Sequence, residues 1–179
     1  MQRFAERCRI PVVTTMMGLG LMPSSHPLYL GMLGSFGCSA ANYAIHHSDL
    51  LILIGTRAGD RAMRQPGVLE RQTRIIHIDI DPAEIRKNME ANIPLVADAR
   101  LVLEELCETC QATDTGMWLA ELREKQGVGA RNVVKAEACQ RFDLPFLIVV
   151  NLQRAVRLAV GSPVFHCQNE IFHVLKRIN

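Results

Sequence analysis

The stretch Arg74-Ile75-Ile76-His77-Ile78-Asp79-Ile80-Asp81-Pro82-Ala83-Glu84-Ile85 reads as a buried strand that runs into a capped helix. Isoleucines crowd Ile75 to Ile80, as a strand covered on both faces requires. Asp81 supplies a carboxylate N-cap, Pro82 suits the first helical position, and Glu84 stands where a capping-box acid belongs. Asp79 falls at the carboxyl end of the strand, where open α/β sheets bind ligands.

Working outward, Ile10, Val12 and Val13 form the core of a first strand over residues 9–15, broken by Gly18-Leu19-Gly20 and Pro23. Residues 26–37 read as a glycine-rich loop, with Gly31, Gly34 and Gly37 at regular spacing. A short helix is predicted over residues 39–47, followed by a second buried strand, Leu50-Leu51-Ile52-Leu53-Ile54-Gly55. Pro66-Gly67 marks a turn before the Arg74 strand. Residues 93–96 suit a short last strand, and 99–110 a closing helix with Leu101, Val102, Leu103 and Leu106 toward the core. Strands alternating with helices imply an α/β fold with a doubly wound, Rossmann-like parallel sheet.

That alternation stops near Thr109. Residues 1–110 are therefore read as one domain and 111–150 as a linker, with a helical or irregular, more polar part over 117–139 and an apolar part over 144–150. Residues 151–179 are read as the start of a further domain, with helices over 154–160 and 170–176 and a strand start at 163–165.

The chain has 179 residues, 49% of them apolar and 21% charged, which suits a soluble globular core. A net charge of +2 with scattered basic residues and sparse aromatics argues against nucleic acid and against an anionic membrane. The amino terminus lacks the apolar core and cleavage site of a signal peptide, and no apolar run approaches the roughly 20 residues of a membrane span. The six cysteines are spread out, as reduced cytoplasmic thiols are. Cys107-Glu108-Thr109-Cys110 has no second ligand pair nearby and reads as a coincidental pair at a helix end, with metal or redox use as the lesser alternative.

Three loops follow predicted strand ends: Thr14-Thr15-Met16-Met17-Gly18-Leu19-Gly20, Gly55-Thr56-Arg57-Ala58-Gly59-Asp60-Arg61, and Asp79-Ile80-Asp81. In a parallel sheet they share one edge and can line one crevice. Glycines let backbone N–H groups approach a ligand, Arg57 and Arg61 suit a pyrophosphate, and Asp79 suits a ribose or ribityl hydroxyl. The alternative is a solvated cluster of Arg57, Asp60 and Arg61 beside an ordinary turn. The Gly31, Gly34 and Gly37 series is not a G-x-G-x-x-G fingerprint and reads as a flexible turn. His46 and His47 read as surface or capping residues, and His77 as a satisfied core histidine. Met16, Met17, Met22 and Met32 flank the crevice, as core filler or as a bed for a flat apolar ring.

These loops, in this order, resemble the central domain of thiamin-diphosphate-dependent enzymes of the acetolactate synthase type. The resemblance rests on Ile10-Pro11-Val12-Val13-Thr14-Thr15-Met16-Met17-Gly18-Leu19-Gly20, Gly31-Met32-Leu33-Gly34, Ala40-Ala41-Asn42, Ser48-Asp49-Leu50-Leu51-Ile52, the loop from Gly55 through Arg57 to Arg61, and His77 through Asn88. It spans about residues 5–108. It implies a transferase that decarboxylates pyruvate and joins it to a second 2-oxo acid in branched-chain amino-acid synthesis. It also implies FAD, without net redox turnover, on Thr15, Met16, Met17, Gly34, Gly55, Arg57, Arg61, Asp79, Ile80 and Asp98. Gly59, Phe36 and Ala97 depart from the family's usual aspartate, histidine and glycine.

The resemblance further implies that thiamin diphosphate and magnesium act in the complete enzyme, through a glutamate of a preceding domain and a Gly-Asp-Gly motif of a following one. No Gly-Asp-Gly occurs in this sequence. Gln168 and Asn169 stand where a following domain would begin to contact the diphosphate. No catalytic residue and no metal ligand is assigned within the chain. The expectation is a fragment that is inactive alone and completed by further domains or a homo-oligomeric partner. A stand-alone FAD-binding or interaction module is the alternative.

Overall fold

The computed structural model describes residues 1–59, 62–63, 66–110, 112, 114–128 and the backbone of 146–150. Its strands are β1 (Val12–Thr14), β2 (Tyr29–Met32), β3 (Leu50–Ile54), β4 (Arg74–Asp79), β5 (Ile93–Val96) and β6 (Phe146–Val150). They form one sheet in the order β2-β1-β6-β3-β4-β5. β1 pairs in parallel with β2, β3 with β4, and β4 with β5. β6 runs antiparallel to both of its neighbours, β1 and β3. The parallel sheet expected from the alternating elements thus holds for the first five strands, and the sixth enters from the opposite direction.

Every residue of β3 is buried, as is β4 from Ile75 to Asp79. Alternation then divides their side chains between two cores. Leu51, Leu53 and Ile75 join Val13, Ala41, Ala44, Ile45, Leu69 and Leu122 on one face. Leu50, Ile52, Ile54, Ile76 and Ile78 join Val12, Phe4, Ala5, Cys8, Ile93 and Leu103 on the other. The first face carries α2 (Ser39–His46), α3 (Pro66–Gln72) and α5 (Gly116–Val128), the second α1 (Gln2–Cys8) and α4 (Ala99–Thr109). Helices on both faces make the fold a doubly wound α/β domain.

Several local expectations need correction. The helix predicted from Asp81 does not form, and residues 82–86 are turns. Asp81 does cap, with Oδ1 accepting from the Ala83 amide at 2.9 Å. The following bonds are of the short i to i+3 kind, Glu84 to Asp81 and Lys87 to Glu84, and Arg86 sits in the left-handed region at φ 62°. β2 lies inside the stretch read as a loop, where Gly31 adopts φ 98° next to a register shift against β1. Residues 66–72, read as a turn at their start, are α3; a proline fits the first turn of a helix, whose N–H groups lack partners anyway.

Residues within the predicted linker are built onto the sheet. α5 packs on α2, where the Tyr43 hydroxyl donates to Glu121 Oε1 at 2.5 Å and Lys125 Nζ lies 5.0 Å from the Tyr43 ring centre. Gln126 Nε2 donates to the carbonyl of Tyr29 at 3.1 Å. The elements predicted beyond residue 150 lie outside the described residues.

β6 is the strand on which the sheet's continuity rests. β1 and β3 are not bonded to each other, and each takes its inner ladder from β6, with Ile148 level with Val12 on one side and Ile52 on the other. Ile148→Pro removes an N–H from the middle of the sheet, whereas Pro94 already sits in the edge strand β5. Equilibrium urea unfolding is expected to show a loss of about 3 kcal/mol or more for Ile148→Pro. An unchanged midpoint would mean that β6 contributes nothing to the sheet.

Candidate functional site

The five parallel strands all end at one edge of the sheet, and the chain reverses direction there. It runs outward from β1 to β2, crosses through α2, and runs outward again through β3, β4 and β5. The carboxyl ends of β1 and β3 therefore flank a switch point, the place where doubly wound sheets bind ligands. Thr14 and Ile54 are both level with Phe146, so they stand at one height about 9.5 Å apart, two strand spacings.

The predicted site residues that are described all fall on this rim. Thr15 is the N-cap of a short 3-10 helix, Met16–Gly18, that turns the chain over the end of β1. Gly34 follows β2, Gly55 and Arg57 follow β3, Asp79 and Ile80 end β4, and Asp98 follows β5. Arg61, Gln168 and Asn169 lie outside the described residues.

The rim is apolar to an unusual degree. Met16 is 72% exposed, Met17 58%, Phe36 86%, Ile80 70% and Val96 58%. Among the described residues only Leu101 and Met117 are exposed large hydrophobics elsewhere. Those on the rim are spread along it from Phe36, after the edge strand β2, to Val96, in the edge strand β5.

Behind these side chains the loop backbones are held firmly. Asn42, on α2, accepts from the Gly34 amide at 2.9 Å and donates to the Gly34 carbonyl at 3.0 Å. Gly34 adopts φ 107°, a conformation that favours glycine. At Gly37 a Cβ would collide with the Met32 carbonyl oxygen. Asn88 Nδ2 donates to the Arg57 carbonyl at 2.7 Å, and the Gly55 amide, at φ 56°, donates to Ile78 at 2.7 Å. These two asparagines are the site residues that sequence reading left unassigned. Both lie within the motifs quoted above, and only the fold shows which loops they hold.

The polar groups divide between structural work and open positions. The Arg57 side chain is 78% exposed, with Nε 3.6 Å from Glu84 Oε2, and Glu84 also takes Lys87 Nζ at 2.9 Å. Asp79 uses Oδ1 to accept from the Asp81 amide at 2.9 Å, which leaves Oδ2 without a bond from the described residues. Asp98 is the N-cap of α4, accepting from the Arg100 and Leu101 amides at 2.8 and 3.3 Å. A cavity of about 210 Å³ lies behind the Gly34 loop, between Asn42, Ile45 and His46 of α2 and Ala62, Met63 and Leu69. Among the described residues no group of three or more His, Cys, Asp or Glu is placed to hold a metal ion.

The architecture defines a class: a doubly wound α/β domain whose ligand crevice lies at the carboxyl rim of its switch point. Residues 1–106 match the family described as thiamine pyrophosphate enzyme, central domain, and the chain belongs to that family. It is similar to the probable acetolactate synthase large subunit of Methanocaldococcus jannaschii, 48% identical over 125 residues that cover 68% of this chain and 21% of that protein. The acetolactate synthase large subunit of Corynebacterium glutamicum is 44% identical over 69% of this chain and 20% of its own length. That of Haemophilus influenzae is 39% identical over 79% of this chain and 24% of its own. The chain thus spans roughly a fifth to a quarter of the curated relatives it matches.

His77, buried in β4 beside the Gly55 loop, is bonded on one side only. Its Nε2 meets the Thr56 carbonyl at 3.0 Å, while Nδ1 has no partner among the described residues. Burial holds its pKa below the ordinary histidine value, so the ring is neutral near pH 7. As pH falls, the unfolded chain binds the proton first. The stability from neutral His77 is complete above about pH 6.5 and is lost as the pH drops from there toward the folded-state pKa. Thermal melts from about pH 7.5 to about pH 5 are expected to show a smaller decline in Tm for His77→Gln than for the unaltered protein. Parallel declines would clear His77 of this role.

Proposed function

We propose that this chain is part of a cytoplasmic acetolactate-synthase-type transferase, which decarboxylates pyruvate and joins it to a second 2-oxo acid in branched-chain amino-acid synthesis. In this reading thiamin diphosphate and magnesium serve the complete enzyme, and residues 1–110 supply its central domain. Residues 111–150 lead from it toward a further domain starting near residue 151, and homo-oligomeric partners complete the active unit. The similarity of this domain to the large subunits of acetolactate synthases supports the reading.

The domain's own task is to hold FAD at the carboxyl rim. When bound, FAD offers a flat apolar ring, a pyrophosphate and two sets of hydroxyl groups, and takes no net redox part. The residues present fit that chemistry. The Arg57 guanidinium, extended and mostly exposed, suits the pyrophosphate. Asp79 Oδ2 suits a ribose or ribityl hydroxyl. Gly34 and Gly55, bent at positive φ, let backbone amides come close. Met16, Met17 and Ile80 offer apolar surface to the ring, with Thr15 at the start of the turn that carries the methionines. Phe36, the most exposed large hydrophobic among the described residues, lies on the same rim after β2. Arg61, Gln168 and Asn169 are proposed contacts on the resemblance alone. The observation that carries the proposal is that exposed Met16, Met17 and Ile80 lie with Arg57 and Asp79 along the same carboxyl rim of the sheet, on either side of the switch point.

Titration of the purified chain with FAD, followed by flavin fluorescence and calorimetry, tests this. Saturable one-to-one binding is expected, and loss of the charge-assisted contacts in Arg57→Ala should weaken it about 10- to 100-fold. Retained circular dichroism in the variant checks the fold. Absent binding, or equal affinity in the folded Arg57→Ala protein, would overturn the assignment of the rim.

A further inference from the structure

Three cysteines meet on the face of the sheet away from α2, far from the chemistry proposed for the rim. Cys8 is the last residue of α1 and is buried in the core beneath α1 and α4. Cys110 is the C-cap of α4, half-buried, and Cys107 stands one turn before it. Both pack against the core that holds Cys8. Cys8 and Cys110 are side-chain hydrogen-bond partners across the seam between α1 and the end of α4. A second bond holds the same seam: Thr115 Oγ1 donates to the carbonyl of Arg9, the residue after Cys8. The spacing Cys107-Glu108-Thr109-Cys110 suggested a pair within one helix end, but the fold brings in a partner from the opposite end of the domain.

We propose that Cys8 and Cys110 form a reversible disulfide on reaction with a hydroperoxide, covalently joining α1 to the end of α4. Cys110 is the nucleophile. The hydrogen bond with Cys8 holds its thiol below the ordinary cysteine pKa, helped by Thr109 and Arg7 against the effect of burial, and it is the more accessible of the two. Cys8 is held above the ordinary value by that hydrogen bond and by burial, and it resolves.

The Cys110 thiolate attacks the outer oxygen of the hydroperoxide. The O–O bond breaks, the alkoxide leaves and takes a proton as alcohol, and Cys110 becomes a sulfenic acid. Cys8 sulfur then attacks Cys110 sulfur, the S–O bond breaks, and hydroxide leaves with the Cys8 proton as water. Two thiols and one hydroperoxide give one disulfide, one alcohol and one water. The closed loop spans nearly the whole described domain, so the bond removes much freedom from the unfolded chain.

Treatment of the full chain with a small excess of hydrogen peroxide, then alkylation and peptide mass spectrometry, tests the proposal. The expected result is one Cys8–Cys110 linked peptide, loss of two hydrogens in the intact mass, reversal by dithiothreitol, and a rise in Tm of about 5–10 °C. Cys107→Ser should still form the link and Cys110→Ser should not. Cys8→Ser should leave a dimedone-reactive sulfenic acid on Cys110. A dominant Cys107–Cys110 link, a dominant link to any other cysteine, or full alkylation of both Cys8 and Cys110 after the peroxide is consumed would overturn it.

Discussion

The structure depends on one set of backbone hydrogen bonds, those made by β6 in the slot between β1 and β3. The parallel strands form two separate groups, β2-β1 and β3-β4-β5, and neither group bonds to the other directly. An unfilled slot would leave two apolar strands with unpaired N–H and C=O groups in the middle of the molecule. Such groups are costly to bury, so the slot must contain a strand of some kind. Strand direction matters less than strand presence, since parallel and antiparallel ladders satisfy the same groups. That explains how one reversed strand sits at the centre of a sheet whose other connections all follow the parallel rule.

The same slot makes the site. A switch point exists because β1 and β3 are the inner strands of two outward-running halves. Keeping them one strand apart widens the gap between their terminal loops to about 9.5 Å. The loops after β1 and β3 then face each other across the end of β6 without touching as neighbours in a ladder would. Thr15 and Arg57 owe their relative position to β6, a strand far along the chain from both, and no local property of either residue encodes it.

Legibility in the sequence followed the range of the interaction. β3 and β4 were readable because burial on both faces writes an unbroken apolar run into the chain. α4 was readable from its amphipathic spacing, although Leu101, read as facing the core, is exposed; its N-cap, Asp98, was not read as one. The Asp81 segment shows the limit of cap signals: the first turn is capped as expected, but only apolar packing would extend it, and Arg86 turns left-handed and donates to the Ala91 carbonyl instead. β2 was hidden because Gly31 has little strand preference and is ordered there by β1. At the site, the rim residues were legible because strand ends were. Asn42 and Asn88 were not, since each holds a loop backbone that only the folded chain brings near.

Those asparagines bear on why the rim is built as it is. A surface that displays Met16, Met17, Phe36 and Ile80 to water is unfavourable unless something covers it. Flexible loops would let the four side chains collapse onto one another or into the core. Loops on the same rim are held from behind: Asn42 grips Gly34, two residues before Phe36, at both its amide and its carbonyl, Asn88 holds the Arg57 carbonyl, and the Gly55 amide is tied to Ile78. In the proposed reading, less conformational freedom in these loops remains to be lost when FAD binds, which is how preorganisation raises affinity without adding contacts. The rim is thus rigid in its backbone and unfinished in its side chains, a combination that suits a surface made to be covered.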